Sequence, residues 1–495
     1  MNKRIKGIIA LFAGIIVLSG SLIILLNIKP EQGKSGNSQT SATEPQNETV
    51  ELNRRDPSTV NKVEVSNEEG SFTVLRTSLP QTDGEREQYT IEGYEDLRLE
   101  NSLLSTLPYN GSDLFSVATV GTRGDGIEKF GLEPPRATVV LHYDSGDAVK
   151  FFIGDNSPTA TASYFMLDGD DNVYTVAISS VSNFHTRVRD FVSKIIVERP
   201  SEENFPIVER VRITRDDLDN DIVIKYDRNE ANEELVSGGT AAAHVLTEPF
   251  RANLNITYSQ NVTHGIFGLN ASDFYSIKPT AGDIAEAGLS EPFCTVVTEC
   301  DNGVTYTFLM SEPFIDESGS KSHYAMLEGG NVIYIVSAEN AVWGTISIID
   351  FTSYLVYSSM VWDIRTMTVT GRDFDTVIFE GEGTDKTNYV LTKNGEAFDN
   401  ERFRLFYSFL LSTAAEDVAY DKPIPNGKPL VRIEIKDAKL DRGAQYIEYY
   451  EDTLFTCLFV INGETKYTCS KSYVDTLIGN IRRIHTGEAY VTKWS

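Results

Sequence analysis

Two stretches decide the fold: Gly126–Gly154, GIEKFGLEPPRATVVLHYDSGDAVKFFIG, and Asp283–Ser311, DIAEAGLSEPFCTVVTECDNGVTYTFLMS. Ile127 and Ile284, Gly131 and Gly288, Leu132 and Leu289, Pro135 and Pro292, and Gly146 and Gly303 are each 157 positions apart. Downstream, SYFMLDGDDNVYTV matches HYAMLEGGNVIYIV, with Tyr164 and Tyr324, Met166 and Met326, and Tyr174 and Tyr334 each 160 apart. The pair Asp190–Phe191 stands at the same offset from Asp350–Phe351. One small insertion reconciles the two offsets, so the chain contains a duplicated unit.

Each copy has the same physical reading. A short helix ends at Gly131 or Gly288, where glycine takes the left-handed cap, and Pro135 or Pro292 keeps the helix from resuming. Two alternating strands follow, TVVLHY and VKFFIG in the first copy, turned by DSG. The Tyr-Phe-Met-Leu and Val-Tyr-Thr-Val segments supply two more around Gly169. These patterns predict an α+β fold: tandem modules, each an antiparallel sheet with one or two helices on a face.

Working outward, Val63, Val65, Phe72 and Val74 alternate in an opening hairpin over Val60–Thr77. Tyr94–Leu107 reads as a helix with Leu97, Leu99, Leu103, Leu104 and Leu107 on its apolar face. After Trp362, MTVTGRDFDTVIFEGE resembles that opening hairpin. Asn400–Val418 reads as an amphipathic helix whose Phe403, Phe406, Tyr407, Leu410 and Leu411 favour a core role over a partner interface. VRIEIKD and YIEYYEDTLFTCLFVING read as strands, and YTCSKSYVDTLIGNIRRI as the strand-to-helix end of a module. No GLxxP segment occurs there, so residues 362–495 are expected to form a divergent, shortened third module. Residues 60–199 and 200–361 form the first two.

The first 28 residues place Lys3, Arg4 and Lys6 before an uncharged run, Ile8–Ile28. At about 1.5 Å per residue such a helix reaches about 30 Å, the thickness of a bilayer core. The run exceeds a signal-peptide h-region and no A-x-A site follows, which favours an uncleaved transmembrane signal anchor over a cleaved leader. The flanking charges predict a cytoplasmic N-terminus and an extracellular remainder at the cell membrane. Residues 29–59 are polar and lack periodicity, as a flexible linker does.

Of the 495 residues, 72 are acidic and 44 basic, for a net charge of −28. That balance argues against nucleic-acid binding, which needs cationic contacts to phosphate. Cys294, Cys300, Cys457 and Cys469 are too sparse for a disulfide scaffold. Either closely spaced pair could sit on neighbouring strands, and buried free thiols are an equal expectation.

At GLEPP, the paired strands ending in IGD, and the Tyr…VYTV segment, the chain resembles the DUF4340 family. The residues that carry the resemblance are Gly131, Leu132, Pro134, Pro135, Ile153, Gly154, Tyr164 and Tyr174. Gly288, Leu289, Pro292, Tyr324 and Tyr334 are their second-copy counterparts, while Met310–Ser311 replaces Ile153–Gly154. The resemblance implies a bacterial-envelope accessory or scaffold subunit, non-catalytic, with an ABC-2-type permease and its ATPase as partners. It implies structural roles for these residues: caps, turns and sheet-packing aromatics. It carries over no catalytic residue, cofactor or metal.

Other chemistry is thin. Neither GxGxxG at a strand–helix junction nor GxxxxGK[ST] occurs, so a dinucleotide fold or P-loop ATPase is unsupported. The RGD tripeptide within Thr122–Gly126 reads as a polar turn, and DLDND at Asp217–Asp221 as a solvated acidic turn lacking the EF-hand pattern. His142, His185, His244, His264, His323 and His485 make no short metal motif. GxSxG is absent too, although distant residues could still assemble a hydrolase site. The aromatic cluster Tyr446–Phe455 leaves open a glycan- or polymer-binding surface, with cross-strand packing the plainer reading.

Overall fold

Along Ala137–Tyr143 and Cys294–Cys300 every second side chain is buried. This period-two burial repeats across three antiparallel sheets built on one plan. The computed structural model describes residues 49–82, 84–228, 243–353, 360–413, 415–438 and 443–494.

In the first unit the strands run, in chain order, Val60–Asn67, Gly70–Ser78, Gln88–Ile91, Ala118–Thr122, Ala137–Tyr143, Ala148–Asn156, Ala162–Leu167 and Asn172–Ala177. Across the sheet they lie third, second, first, fifth, sixth, seventh, eighth, fourth. The second unit repeats this order with Val208–Arg215, Ile222–Tyr226, His244–Glu248, Asp273–Ile277, Cys294–Cys300, Thr305–Met310, Lys321–Leu327 and Val332–Ser337. The third repeats it again with Ile364–Gly371, Val377–Glu382, Val390–Lys393, Ala415–Val418, Val431–Asp437, Gln445–Glu451, Thr456–Ile461 and Glu464–Ser470. All eight strands are therefore present in the third unit, and the expected shortening is corrected. What that unit lacks, among the described residues, is a helix between its fourth and fifth strands.

A helical crossover joins the third strand to the fourth in every unit: Asn101–Leu104 with Thr106–Ser112, then Ile256–His264, then Asn400–Leu410. Short helices, or in the third unit the long helix Lys471–Thr486, follow the eighth strand. Both helical segments pack on the same sheet face, over cores containing Leu104, Leu107 and Phe151, then Val262, Phe308 and Trp343, then Phe403, Phe406 and Leu477. Each such side chain contributes about 1.5–3 kcal/mol of burial. Trp343 also donates its indole N–H to Val262 O at 2.8 Å, satisfying its polar atom.

Two expected helices are shorter than the patterns suggested. Residues 94–100 are not helical, because Leu99 bridges Val192 and draws the backbone into the joint between units. Leu97, Leu104 and Leu107 are buried, whereas Leu103 faces solvent. The helix beginning at Asn400 is capped by Asp399, which accepts from Arg402 N at 2.9 Å. It ends at Leu410, and Ala415–Val418 instead pairs with the eighth strand.

The units meet through repeated joints. Arg189, in the turn after the eighth strand of unit one, reaches Asp273 at 2.9 Å and Phe274 O at 3.1 Å on the fourth strand of unit two. Residues 194–197 pair with 268–271 through Ile196 N to Leu269 O, Gly268 N to Val197 O and Ala271 N to Lys194 O, each 2.8 Å. At the next joint Phe250 packs against the cores of units two and three, and Tyr467 donates to Thr352 Oγ1 at 3.1 Å.

Cys294 and Cys300 open and close one strand, so six steps of about 3.4 Å hold them apart. Cys457 and Cys469 are direct cross-strand partners. All four are buried free thiols.

The single-pass topology is corrected: among the described residues no helix is long and apolar enough to cross a membrane. Ile8–Ile28, on which the anchor rested, and most of the linker lie outside the described residues. The cytoplasmic N-terminus and the extracellular placement of the remainder rested on that anchor and are withdrawn with it.

Candidate functional site

The residues that carried the family resemblance divide between small clusters behind the sheets and the main cores. Gly131, at φ 65°, ends the short helix Glu128–Phe130, and Leu132 pairs back to Pro135. Leu132, Phe130 and Ile127 pack with Met166, Val173 and Tyr164 on the sheet face opposite the crossover helix. Phe130 and Tyr164 lie 4.8 Å apart. Pro134 follows a cis bond and is exposed. Ile153 and Tyr174 belong to the main core, where Tyr174 donates to Asp170 at 2.7 Å. The chain passes so near Gly154 that a side chain there would meet Leu132 Cγ at 3.0 Å and Gly131 O at 3.1 Å.

Unit two repeats the arrangement with Leu289, Met326, Ile333 and Tyr324, and Tyr324 stacks on Phe314 at 4.3 Å. Gly288 again has positive φ, Pro292 is half-buried, and Tyr334 sits in the main core beside Phe274. In unit three only Ala419, Tyr450, Leu458 and Val460 cluster on this face.

Other sequence candidates resolve into structure. Asp125 and Thr122 form a capping box around the RGD turn. Asp217 and Asp221 pair with Arg215 and Arg212. Among the described residues no cluster of His, Cys, Asp and Glu is arranged to hold a metal. Tyr449 and Tyr450 are buried, and of the Tyr446–Phe455 run Leu454 and Phe455 stand furthest into solvent, at the turn.

The site that sequence patterns did not reveal is a cleft of about 430 Å³ beside the first joint. Four segments build it: the linker with Arg199 and Phe205, the last turn of helix Ile256–His264, the loop to Asn270, and the turn Glu339–Val342. Gly265 follows the last turn of that helix, where a Cβ would run into Asn261 O and lie 3.2 Å from Trp343 Cζ2. Phe205, Phe267 and His264 form the inner wall, with ring centroids 5.1 Å and 5.9 Å from Phe205.

His264 Nδ1 lies 2.7 Å from Thr263 Oγ1, and its ring meets His244 edge-on at 5.4 Å. Burial, followed by the charges of His244 and Arg199, lowers its pKa to about 4, so the imidazole is neutral near pH 7. Thr263 is buried and also bonds Ser259 O at 3.0 Å. Thr263 thus braces the His264 ring through Nδ1, and His264 itself lines the cleft.

Around the rim stand Arg199, Gln260, Asn261, Asn270, Glu339 and Asn340. None of these six side chains has a hydrogen bond or ion pair to the described chain; Arg199 only lies over the Phe205 ring at 5.6 Å. Among the described arginines, only Arg86 shares that lack of a polar partner. A second depression, lined by Ser320, Lys321 and Asp350, adjoins the cleft at Glu339 and Val342.

The class so defined is an α+β array of antiparallel-sheet units with a polar cleft at a joint. Residues 90–292, about two-fifths of the chain, match the family described as Domain of unknown function (DUF4340), so a DUF4340 domain is present. The match begins in the third strand of unit one and ends just before the fifth strand of unit two. It therefore crosses the joint and includes Arg199, Gln260, Asn261, His264 and Asn270. No curated protein and no solved structure matches the chain.

The family description names no transporter, and nothing in these comparisons links the chain to an ABC-2-type permease or its ATPase. The accessory-subunit role and those partners are withdrawn. Attachment through Ile8–Ile28 goes with them, since no described helix can span a bilayer.

Proposed function

We propose that the chain is a non-enzymatic ligand-binding protein whose site is the cleft at the first joint. The observation that carries this reading is the convergence on one concavity of six exposed polar side chains, none of them bonded to another described residue. By contrast, Arg136 and Arg187 each make a two-pronged contact with a carboxylate, and Arg76 holds both oxygens of Asp144 through one nitrogen. Four primary amides, a guanidinium and a carboxylate offer donors and acceptors in both senses, while Phe205 and Phe267 supply apolar contact. The volume falls within the range of about 300–1,000 Å³ for small-molecule sites.

A thermal-shift screen of small polar compounds, followed by calorimetry, tests the reading. A ligand present at a hundred times its Kd stabilises the folded state by about 2.7 kcal/mol. Binding should be weakened at least tenfold by Asn261→Ala combined with Asn340→Ala. Binding unchanged by those substitutions would place the site elsewhere.

A further inference from the structure

Arg199 and Glu339 carry opposite charges on one rim, yet they form no salt bridge with each other or with any other described residue. Arg86 and Arg199 are the two described arginines whose side chains have no polar partner, and Arg199 lines this cleft. Its planar fork matches a carboxylate in two-pronged fashion. Glu339 accepts hydrogen bonds and complements an ammonium. On the same lining, Gln260, Asn261, Asn270 and Asn340 each present one carbonyl and one amide N–H₂. Those groups can receive the N–H and C=O of a peptide bond together. His264, neutral and braced by Thr263, adds no competing positive charge to the floor.

Resting on the reading of this cleft as a binding site, we infer that its ligand class is a short zwitterionic peptide, with its carboxylate on Arg199 and its ammonium on Glu339. The rim amides hold the peptide groups, and the walls of Phe205 and Phe267 take small apolar side chains. A neutral sugar could use the amides but would leave both charges unanswered. The two ligand classes therefore separate by their dependence on charge.

Isothermal titration of the full chain with tri-alanine, with N-acetyl-tri-alanine amide and with maltotriose tests this. Tri-alanine should bind one to one, and blocking both ends should weaken it at least tenfold. Arg199→Gln and Glu339→Gln should each weaken tri-alanine at least tenfold while leaving the circular dichroism spectrum unchanged, since both side chains are exposed. Equal binding of the blocked and free peptides would overturn the charge assignment. Maltotriose binding that is lost in Asn261→Ala, without tri-alanine binding, would overturn the peptide class yet keep the cleft as a site. Binding of none of the three probes would overturn the peptide class. The wider screen with Asn261→Ala and Asn340→Ala would then decide the cleft itself.

Discussion

Gly154 lies directly against the carbonyl oxygen of Phe130, closer than any side chain at that position would tolerate. The sixth strand of unit one thus passes beneath the end of the Glu128–Phe130 helix, and only glycine leaves room for it. Gly131 adds a second restriction, since its positive φ closes the helix and its own Cβ would lie 2.8 Å from Asp155 N. Unit two solves the same crossing more loosely. Ser311 stands where Gly154 does, and a Cβ on Gly288 would find Ser311 Cβ at 3.7 Å, an ordinary contact.

Gly154→Ala should therefore destabilise the protein by about 2–3 kcal/mol through backbone displacement. Ser311→Ala should cost only about 1 kcal/mol. Its loss is that of hydrogen bonds, because Ser311 Oγ donates to Glu312 O at 2.7 Å and accepts from Tyr324 N at 3.0 Å. Urea denaturation midpoints of the two variants measure the contrast. Equal losses would mean that the crossing is no tighter in unit one than in unit two.

His264 of the cleft and the buried His244 beside it make stability depend on pH. His264 has a pKa near 4 in the fold against about 6.5 unfolded, and burial lowers that of His244 as well. Folding favours the neutral rings. Their stabilisation is whole above about pH 6.5 and is lost as pH falls from there toward 4. Allowing for the partial exposure of the ring, His264 contributes about 1–2 kcal/mol across that window. In His264→Gln the denaturation midpoint should change less between pH 7.5 and pH 5 than in the parent. An unchanged pH profile would remove His264 from the linkage.

The sheet strands were readable because alternation is a local property. Val63 and Val65, Phe72 and Val74, and Tyr164 and Met166 declare a period of two without outside help. The third unit keeps all eight strands without GLxxP for an equally physical reason. Its missing GLxxP belongs to a helix behind the sheet, and losing that helix leaves the eight-stranded order intact. The leucine pattern over Tyr94–Leu107 outruns the helix because Leu97 and Leu99 serve the joint with the next unit rather than a helical face. The cleft was beyond reach for a different reason: Arg199 and Glu339 are 140 positions apart, and no local period connects them. Gln260, Asn261 and His264 at the end of one helix, closed by Gly265, were the nearest thing to a signal.

Phe250 tests whether the last two units unfold together. It contacts both cores, stacking on Tyr420 at 5.6 Å and meeting Tyr467 edge-on at 5.5 Å. Because the ring is only half-buried, Phe250→Ala should cost about 2 kcal/mol, below the range for a fully buried phenylalanine. The unfolding transition should also broaden or split as unit three separates from unit two. Leu454→Ala, at a turn where the residue is 84% exposed, should change stability by less than about 0.5 kcal/mol. A Phe250→Ala transition as sharp and as stable as the parent's would show that the joint carries no cooperativity.

The four thiols provide a probe of the cores themselves. Burial raises the pKa of Cys294 to about 12 and of Cys457 to about 11, and raises those of Cys300 and Cys469 as well. At pH 8 a thiol with a pKa near 11 is about one part in a thousand thiolate, the form that attacks disulfide reagents. Closed burial slows the reaction further. In the native state an aromatic disulfide reagent should therefore react at least a hundredfold more slowly than in urea, where all four cysteines respond. If an oxidant couples any pair within the folded chain, peptide mapping should find Cys457 joined to Cys469, which face one another across adjacent strands. Cys294 and Cys300 lie at opposite ends of one strand and cannot meet while that strand persists. Rapid native labelling of Cys294 would show that the second core opens well below the global unfolding free energy. A Cys294–Cys300 crosslink would show that the strand itself had come apart.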